Sequence, residues 1–231
     1  MNRSVYLFAG IVGSFALSCY ALVIVPQKQI GDLQPQFADD EGKIVDIYPI
    51  ENQGIVKAGR AVYASEGCFY CHSQQVRDEQ NGADIDRGWG TRRTVARDYL
   101  FENPPLLGSI RLGPDLTNVG SEKWRDEPEN EDANYKPAKR DAAWQLLHLY
   151  APRSVNKESS MPPYRYLFEK RKISGQRSNE ALNLTGEDAP EEGYEVVPKP
   201  EAKDLVSYLL SLDRSHPLNE VKSAAPAPAA K

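Results

Sequence analysis

The sequence predicts a mostly α-helical protein in which one N-terminal transmembrane helix is followed by a loop-rich soluble domain. An uncharged apolar run occupies Ser4 to Val25. Beyond it, helix-like segments are few and short, and long stretches rich in Gly, Pro and charged residues separate them. No alternating pattern is strong enough to predict a sheet.

The apolar run comes first. Its residues are mostly Val, Leu, Ile, Phe, Ala and Gly, and as a helix it spans about 33 Å, close to the hydrocarbon thickness of a bilayer. Pro26 is expected to end it, and Lys28 opens the polar part. A cleaved signal peptide has a shorter apolar core and a small-x-small site before the polar segment. Acylation of Cys19 fits poorly, because Ala16, Leu17 and Ser18 precede it and the apolar run continues past it. A retained anchor is therefore expected. Arg3 precedes the span, and Asp32, Asp39, Asp40 and Glu41 follow soon after it, so the positive-inside bias puts the N-terminus in the cytoplasm and the large domain outside.

Residues 28–53 read as a linker with one short strand at Ile44 to Ile47. A helix is expected from Gly54 to Ser65, directly before a cysteine pair. Residues 78–120 lack a sustained apolar period and read as loop, as does the acidic stretch 121–137. A second helix is expected over Ala138 to Tyr150, stopped by Pro152. Residues 169–198 are polar and read as irregular. The last helix starts at Pro200, a residue suited to a first helical turn, and runs to Asp213 with Leu205, Leu209 and Leu212 on one face. The expected divisions are an anchor at 1–27, the linker at 28–53, the soluble domain at 54–215, and a disordered Ala/Pro tail at 216–231.

The composition narrows the function. With 231 residues, the chain buries roughly two-thirds of its unfolded surface without disulfide staples. The net charge is −5 and no basic run is present, so nucleic acid is not an expected partner. Three cysteines are too few for a disulfide scaffold. A domain with so little regular structure needs something at its centre.

Cys68-Phe69-Tyr70-Cys71-His72 supplies the candidate, because Cys-x-x-Cys-His is the attachment motif of c-type heme. Two thiols at this spacing add to the two vinyl groups on one porphyrin edge, and the following His binds the iron. A thioredoxin-like pair would need a βαβ context, and a zinc site would need two more ligands where the only other Cys lies in the apolar span. One covalent heme c is expected. For the sixth iron ligand, Met161 is the one internal methionine, and Pro162 and Pro163 follow it in a Ser-rich loop that can aim a sulfur. His/Met ligation raises the reduction potential and suits electron transfer. The rivals are His148, placed between leucines where a satisfied structural histidine is the usual outcome, and His216 in the C-terminal segment. Neither is preferred.

Gly113-Pro114-Asp115-Leu116 resembles the Gly-Pro-x-Leu element of class I cytochromes c. The resemblance implies that the Pro114 carbonyl receives the second N–H of His72 and that Leu116 packs on the heme. It also implies terminal helices that cross with Gly59 facing Tyr208 or Leu209. Four ordered segments extend it: Cys71–Arg77, Gly108–Leu116, His148–Arg153 and Ser160–Tyr164. Together with the single span, they resemble the mono-heme subunit of C-family (cbb3-type) heme–copper cytochrome c oxidases, covering the anchor and most of residues 54–168. Departures from that pattern lie at 28–53, 121–137 and 169–198.

The family implies an electron relay in the bacterial inner membrane, with the heme domain in the periplasm. A soluble or di-heme cytochrome would donate, and a heme–copper catalytic subunit would accept and reduce oxygen. No catalytic site is expected on this chain itself. Arg77, Arg92, Arg93, Arg111 and Arg153 are candidates to meet the heme propionates, with Arg111 and Arg153 ahead because they lie in the matched segments. The cytochrome subunit of a nitric oxide reductase, a freestanding tethered shuttle and a heme enzyme with an open sixth site are the alternatives.

Overall fold

The computed structural model of the chain describes residues 3–40, 43–122 and 140–221, which fall into two units. One unit comprises residues to Ile50 together with Val95–Phe101; the other comprises Glu51–Thr94 and the described residues from Glu102 onward. The described secondary structure is mostly helical, with few strands.

In the first unit, helix α1 (Arg3–Ile30) is long and apolar enough to cross a membrane. At roughly 40 Å it exceeds the hydrocarbon thickness of a bilayer. It does not stop at Pro26. Proline lacks an N–H and its ring crowds the carbonyl four residues back, but a π-helical turn at Tyr20–Ile24 lies directly before it, and the Val25 N–H reaches the Tyr20 carbonyl. The wider turn accommodates the ring, so the helix continues to Ile30.

The expected strand at Ile44 to Ile47 is present, and it is one arm of a hairpin within the stretch expected to be a linker. Strand β1 (Gln36–Asp40) pairs antiparallel with β2 (Lys43–Tyr48), with Gln36 opposite Tyr48, Phe37 opposite Ile47 and an irregularity between Ala38 and Asp39. The β-branched and aromatic residues of β2 favour a strand, whereas β1 has no such signal. Asp98, in a short turn at Ala96–Tyr99, accepts the Tyr48 hydroxyl at 2.7 Å and the Val95 N–H at 2.8 Å.

The second unit is built on α2 (Gly54–Ser65) and α5 (Pro200–Ser211), which pack together. Gly59 lets them approach: a Cβ there would lie 1.8 Å from the Asp204 carbonyl oxygen and 2.8 Å from Tyr208 Cβ. Tyr63, Leu205, Val206, Tyr208 and Leu209 form the middle of the core. Between them in sequence come α3 (Ala142–Tyr150), capped by Asp141 accepting the Trp144 N–H at 3.0 Å, and the short α4 (Pro152–Val155). Pro152 ends α3 and also opens α4, since its fixed φ suits a first turn. Of the expected start of α3, Ala138 and Lys139 lie outside the described residues.

Residues 169–198, expected to be irregular, include a pair of strands. Strand β3 (Phe168–Lys172) pairs antiparallel with β4 (Tyr194–Pro198), and Leu182, Val196 and Val197 are buried beneath. The polar appearance misleads because Glu195 is itself buried, accepting Arg171 Nε at 2.8 Å and the Ser178 N–H at 2.7 Å. The tail expected to be disordered from residue 216 is described as far as Val221. Leu218 is buried, and the His216 carbonyl accepts Arg92 Nε at 2.8 Å. The acidic loop lies outside the described residues from 123 on.

Substituting Gly59→Ala should force α2 and α5 apart and lower stability by roughly 2–3 kcal/mol, measured as a reduced midpoint of thermal or denaturant unfolding of the heme-loaded chain.

Candidate heme-binding site

The chain leaves α2 into a 3-10 turn at Cys68–Tyr70, where the Cys71 and His72 N–H groups both reach the Cys68 carbonyl, at 3.1 and 3.0 Å. This turn brings Cys68, Cys71 and His72 to one cavity of about 500 Å³. Leu116, Val119, Leu149 and Leu209 supply apolar walls, and Met161 lines the same cavity from its proline-bounded loop.

His72 is the most constrained of these residues. Its Nδ1 lies 2.8 Å from the Pro114 carbonyl oxygen. A carbonyl only accepts, so Nδ1 carries the hydrogen and Nε2 keeps its lone pair. Burial lowers the imidazole pKa, which favours the neutral ring that can bind a metal. Gly113 lies against the ring, and a Cβ there would be 2.2 Å from His72 Cε1.

The segments on either side are stitched together. The Gly113 N–H reaches the Cys71 carbonyl at 3.1 Å, and the Leu116 N–H reaches Ser73 at 2.8 Å. Asp115 is buried and accepts the Ser73 hydroxyl at 2.6 Å, the Gln75 N–H at 2.8 Å and the Thr117 N–H at 2.9 Å.

The Met161 loop is tied down as well. Its N–H reaches Ser159 Oγ at 3.2 Å, and the Tyr164 N–H reaches the Leu149 carbonyl on α3 at 2.8 Å. The Cys68 thiol is pushed up to about 12 by burial and by the nearby Glu66, so it stays a neutral thiol.

The arginines are arranged differently from expectation. Arg111 does not line the cavity: it donates to Ser73 Oγ at 2.7 Å, to Asp84 at 2.7 Å and to the Gln75 carbonyl at 2.6 Å. Arg77 also pairs with Asp84, at 3.0 Å. Arg92 is buried and donates to backbone carbonyls, and Arg153 is exposed on α4 outside the cavity lining. Among the described residues the arginine that lines the cavity is Arg140, with Trp144, Gln145 and His148 beyond it on α3. Sequence reasoning singled out His148 only. Trp144 and His148, four residues apart, share one face of α3, a spacing readable in the sequence, whereas Arg140 precedes the helix. His216 does not line the cavity.

The donor set fits a heme. Two thiols three residues apart, an imidazole with a free lone pair, a thioether and apolar walls are the groups that hold and ligate its iron. The volume is in the range of cofactor pockets, roughly 300–1,000 Å³.

A family model described as "Cytochrome C oxidase, mono-heme subunit/FixO" matches residues 13–194. The chain belongs to that family. Membership makes it a mono-heme cytochrome c oxidase subunit, membrane-associated and heme-containing. The matched stretch contains the Cys68–His72 motif, Gly113–Leu116, His148 and Met161, and it stops short of α5. No individual curated protein matches the chain.

Two outcomes follow for this mono-heme subunit. Gly113→Ala should push the His72 ring off Pro114 and weaken Nε2 as a donor, seen as a raised reduction potential and a perturbed heme spectrum with the chain still folded. Asp84 gives a pH signature. Burial raises its carboxyl, but hydrogen bonds from Arg77 and Arg111 outweigh that and hold it down at about 2. Its folded pKa is therefore below the unfolded value near 3.9. Its contribution is full above about pH 4 and fades as pH falls toward 2. Asp84→Asn should flatten that part of the stability–pH curve and cost on the order of 2 kcal/mol at neutral pH.

Proposed function

We propose that this chain carries one heme c, attached through Cys68 and Cys71 with His72 and Met161 as axial ligands, and relays electrons to the heme–copper catalytic subunit of a cbb3-type oxidase. The observation that carries the reading is that both thiols, the Pro114-oriented His72 and Met161 all line one cavity. When bound, the heme supplies a one-electron iron couple.

The residues determine how that couple behaves. Pro114 fixes the ring plane of His72 and makes Nε2 a better donor. Met161, in a loop anchored at Ser159 and Leu149, supplies a soft ligand that raises the potential. Leu116 and Leu209 line the cavity and would keep water from a bound heme. With His72 and Met161 both held in place, a heme bound there would suit electron transfer over chemistry on a substrate.

Residues 54–215 then form a class I cytochrome c domain. The α2–α5 crossing at Gly59 and the Gly113–Leu116 element support this, with the β3–β4 pair as an addition to that fold. Helix α1 anchors the chain in the bacterial inner membrane. Arg3 before the span and the acidic residues after it favour a cytoplasmic N-terminus and a periplasmic heme domain. A soluble or di-heme cytochrome c is the donor.

The test is purification of the tagged chain from its native membranes in mild detergent. The relay reading expects heme b absorption and cyanide-sensitive oxygen uptake to accompany heme c. Heme c alone, without uptake, would contradict the assignment to an oxidase and leave a tethered shuttle.

A further inference from the structure

Resting on the heme reading above, we propose that His148 is a reserve axial ligand, which takes the iron position given up by Met161 when the thioether is lost or withdrawn. The exchange breaks one iron–sulfur bond and forms one iron–nitrogen bond, with no change of oxidation state.

Four observations lead there. His148 lines the same cavity as His72 and Met161. Its Nδ1 is buried and has no hydrogen-bond partner among the described residues, so it is not the satisfied structural histidine its sequence position suggests. Leaving a buried polar atom unpaired is costly, and a ligand in the cavity would relieve it. The ring is also held in place, stacked on Trp144 with centroids 4.9 Å apart and planes within 5°. Finally, the Met161 loop is fastened to α3 at the very next residue, through the Tyr164 N–H and the Leu149 carbonyl at 2.8 Å.

The chemistry agrees with the placement. Burial first, then the nearby His72 and Arg140, push the His148 pKa down to about 4, so the ring is neutral and one nitrogen presents a lone pair. Gln145, one turn earlier on the same face, also has a buried unpartnered nitrogen at the cavity. It is no competitor, because a neutral amide nitrogen has its lone pair delocalised and does not ligate iron. Among the described residues lining the cavity, His148 is the nitrogen donor other than His72 that can do so.

The experiment uses the full-length, heme-loaded chain in detergent and reads ferric spin state by electron paramagnetic resonance, together with the near-infrared sulfur-to-iron band. Met161→Ala should lose that band yet stay low-spin. Met161→Ala/His148→Phe should be high-spin, and added imidazole should restore the low-spin signal, which also shows that the double variant is folded. Half-conversion of that double variant should need at least about tenfold less imidazole than displacement of His148 in Met161→Ala, the ratio that separates affinities by about 1.4 kcal/mol. His148→Phe alone should keep the band. A high-spin Met161→Ala protein that takes imidazole as readily as the double variant would overturn the proposal. So would a His148→Phe single variant that loses its low-spin state, which would make His148 the primary ligand. A wild-type protein with no sulfur-to-iron band and an unchanged His148→Phe spectrum would instead refute Met161 ligation itself.

Discussion

The contact between His72 Nδ1 and the Pro114 carbonyl organises the second unit. It fixes which nitrogen of the ring carries the hydrogen, and it requires Gly113 beneath the ring, because any side chain there would strike Cε1. For the contact to hold, residues 71–75 and 113–117 must run side by side. The Asp115 carboxylate, buried and accepting three hydrogen bonds across or along that seam, holds them so. Arg111 and Arg77 complete the arrangement by meeting at Asp84. Arginines that resemble ligand-binding groups in sequence are here the fasteners of the loop behind His72.

The helices enter as a frame for that loop. Gln74, two residues past His72, is fully buried and donates to the Tyr208 hydroxyl at 3.1 Å, and its carbonyl oxygen accepts Arg214 at 3.2 Å. Arg214 in turn pairs with Glu102. The Cys68–His72 segment is thereby tied to α5, more than a hundred residues away, through a buried polar network of the kind that rigidifies a fold. Chemistry at the cavity and crossing of α2 over α5 are parts of one mechanical unit.

What was legible follows from how local each signal is. Cys68–His72 and Gly113–Leu116 are contiguous motifs, and the structure brings them together as their resemblance implied. Helix α2 matches its expected bounds, Gly54 to Ser65. Among the described strands β2 was legible, as the strand expected at Ile44 to Ile47, and the others were not. β1 and β3 carry few apolar residues, and the pairing energy lies in backbone hydrogen bonds that no side-chain pattern reports. Glu195 hid a buried strand by being a paired, buried carboxylate. Pro26 failed as a stop because a neighbouring π-turn relieved it. The roles of Arg111 and His148 depend on what surrounds them in three dimensions, which residue type alone does not encode.

The most direct test of the account is the intact mass of the purified chain under denaturing conditions. The account predicts the mass of the polypeptide plus one heme, retained through acidified organic solvent, and no retained heme when Cys68 and Cys71 are both changed to Ala. A bare polypeptide mass, or a heme that the solvent extracts from the unaltered chain, would contradict it.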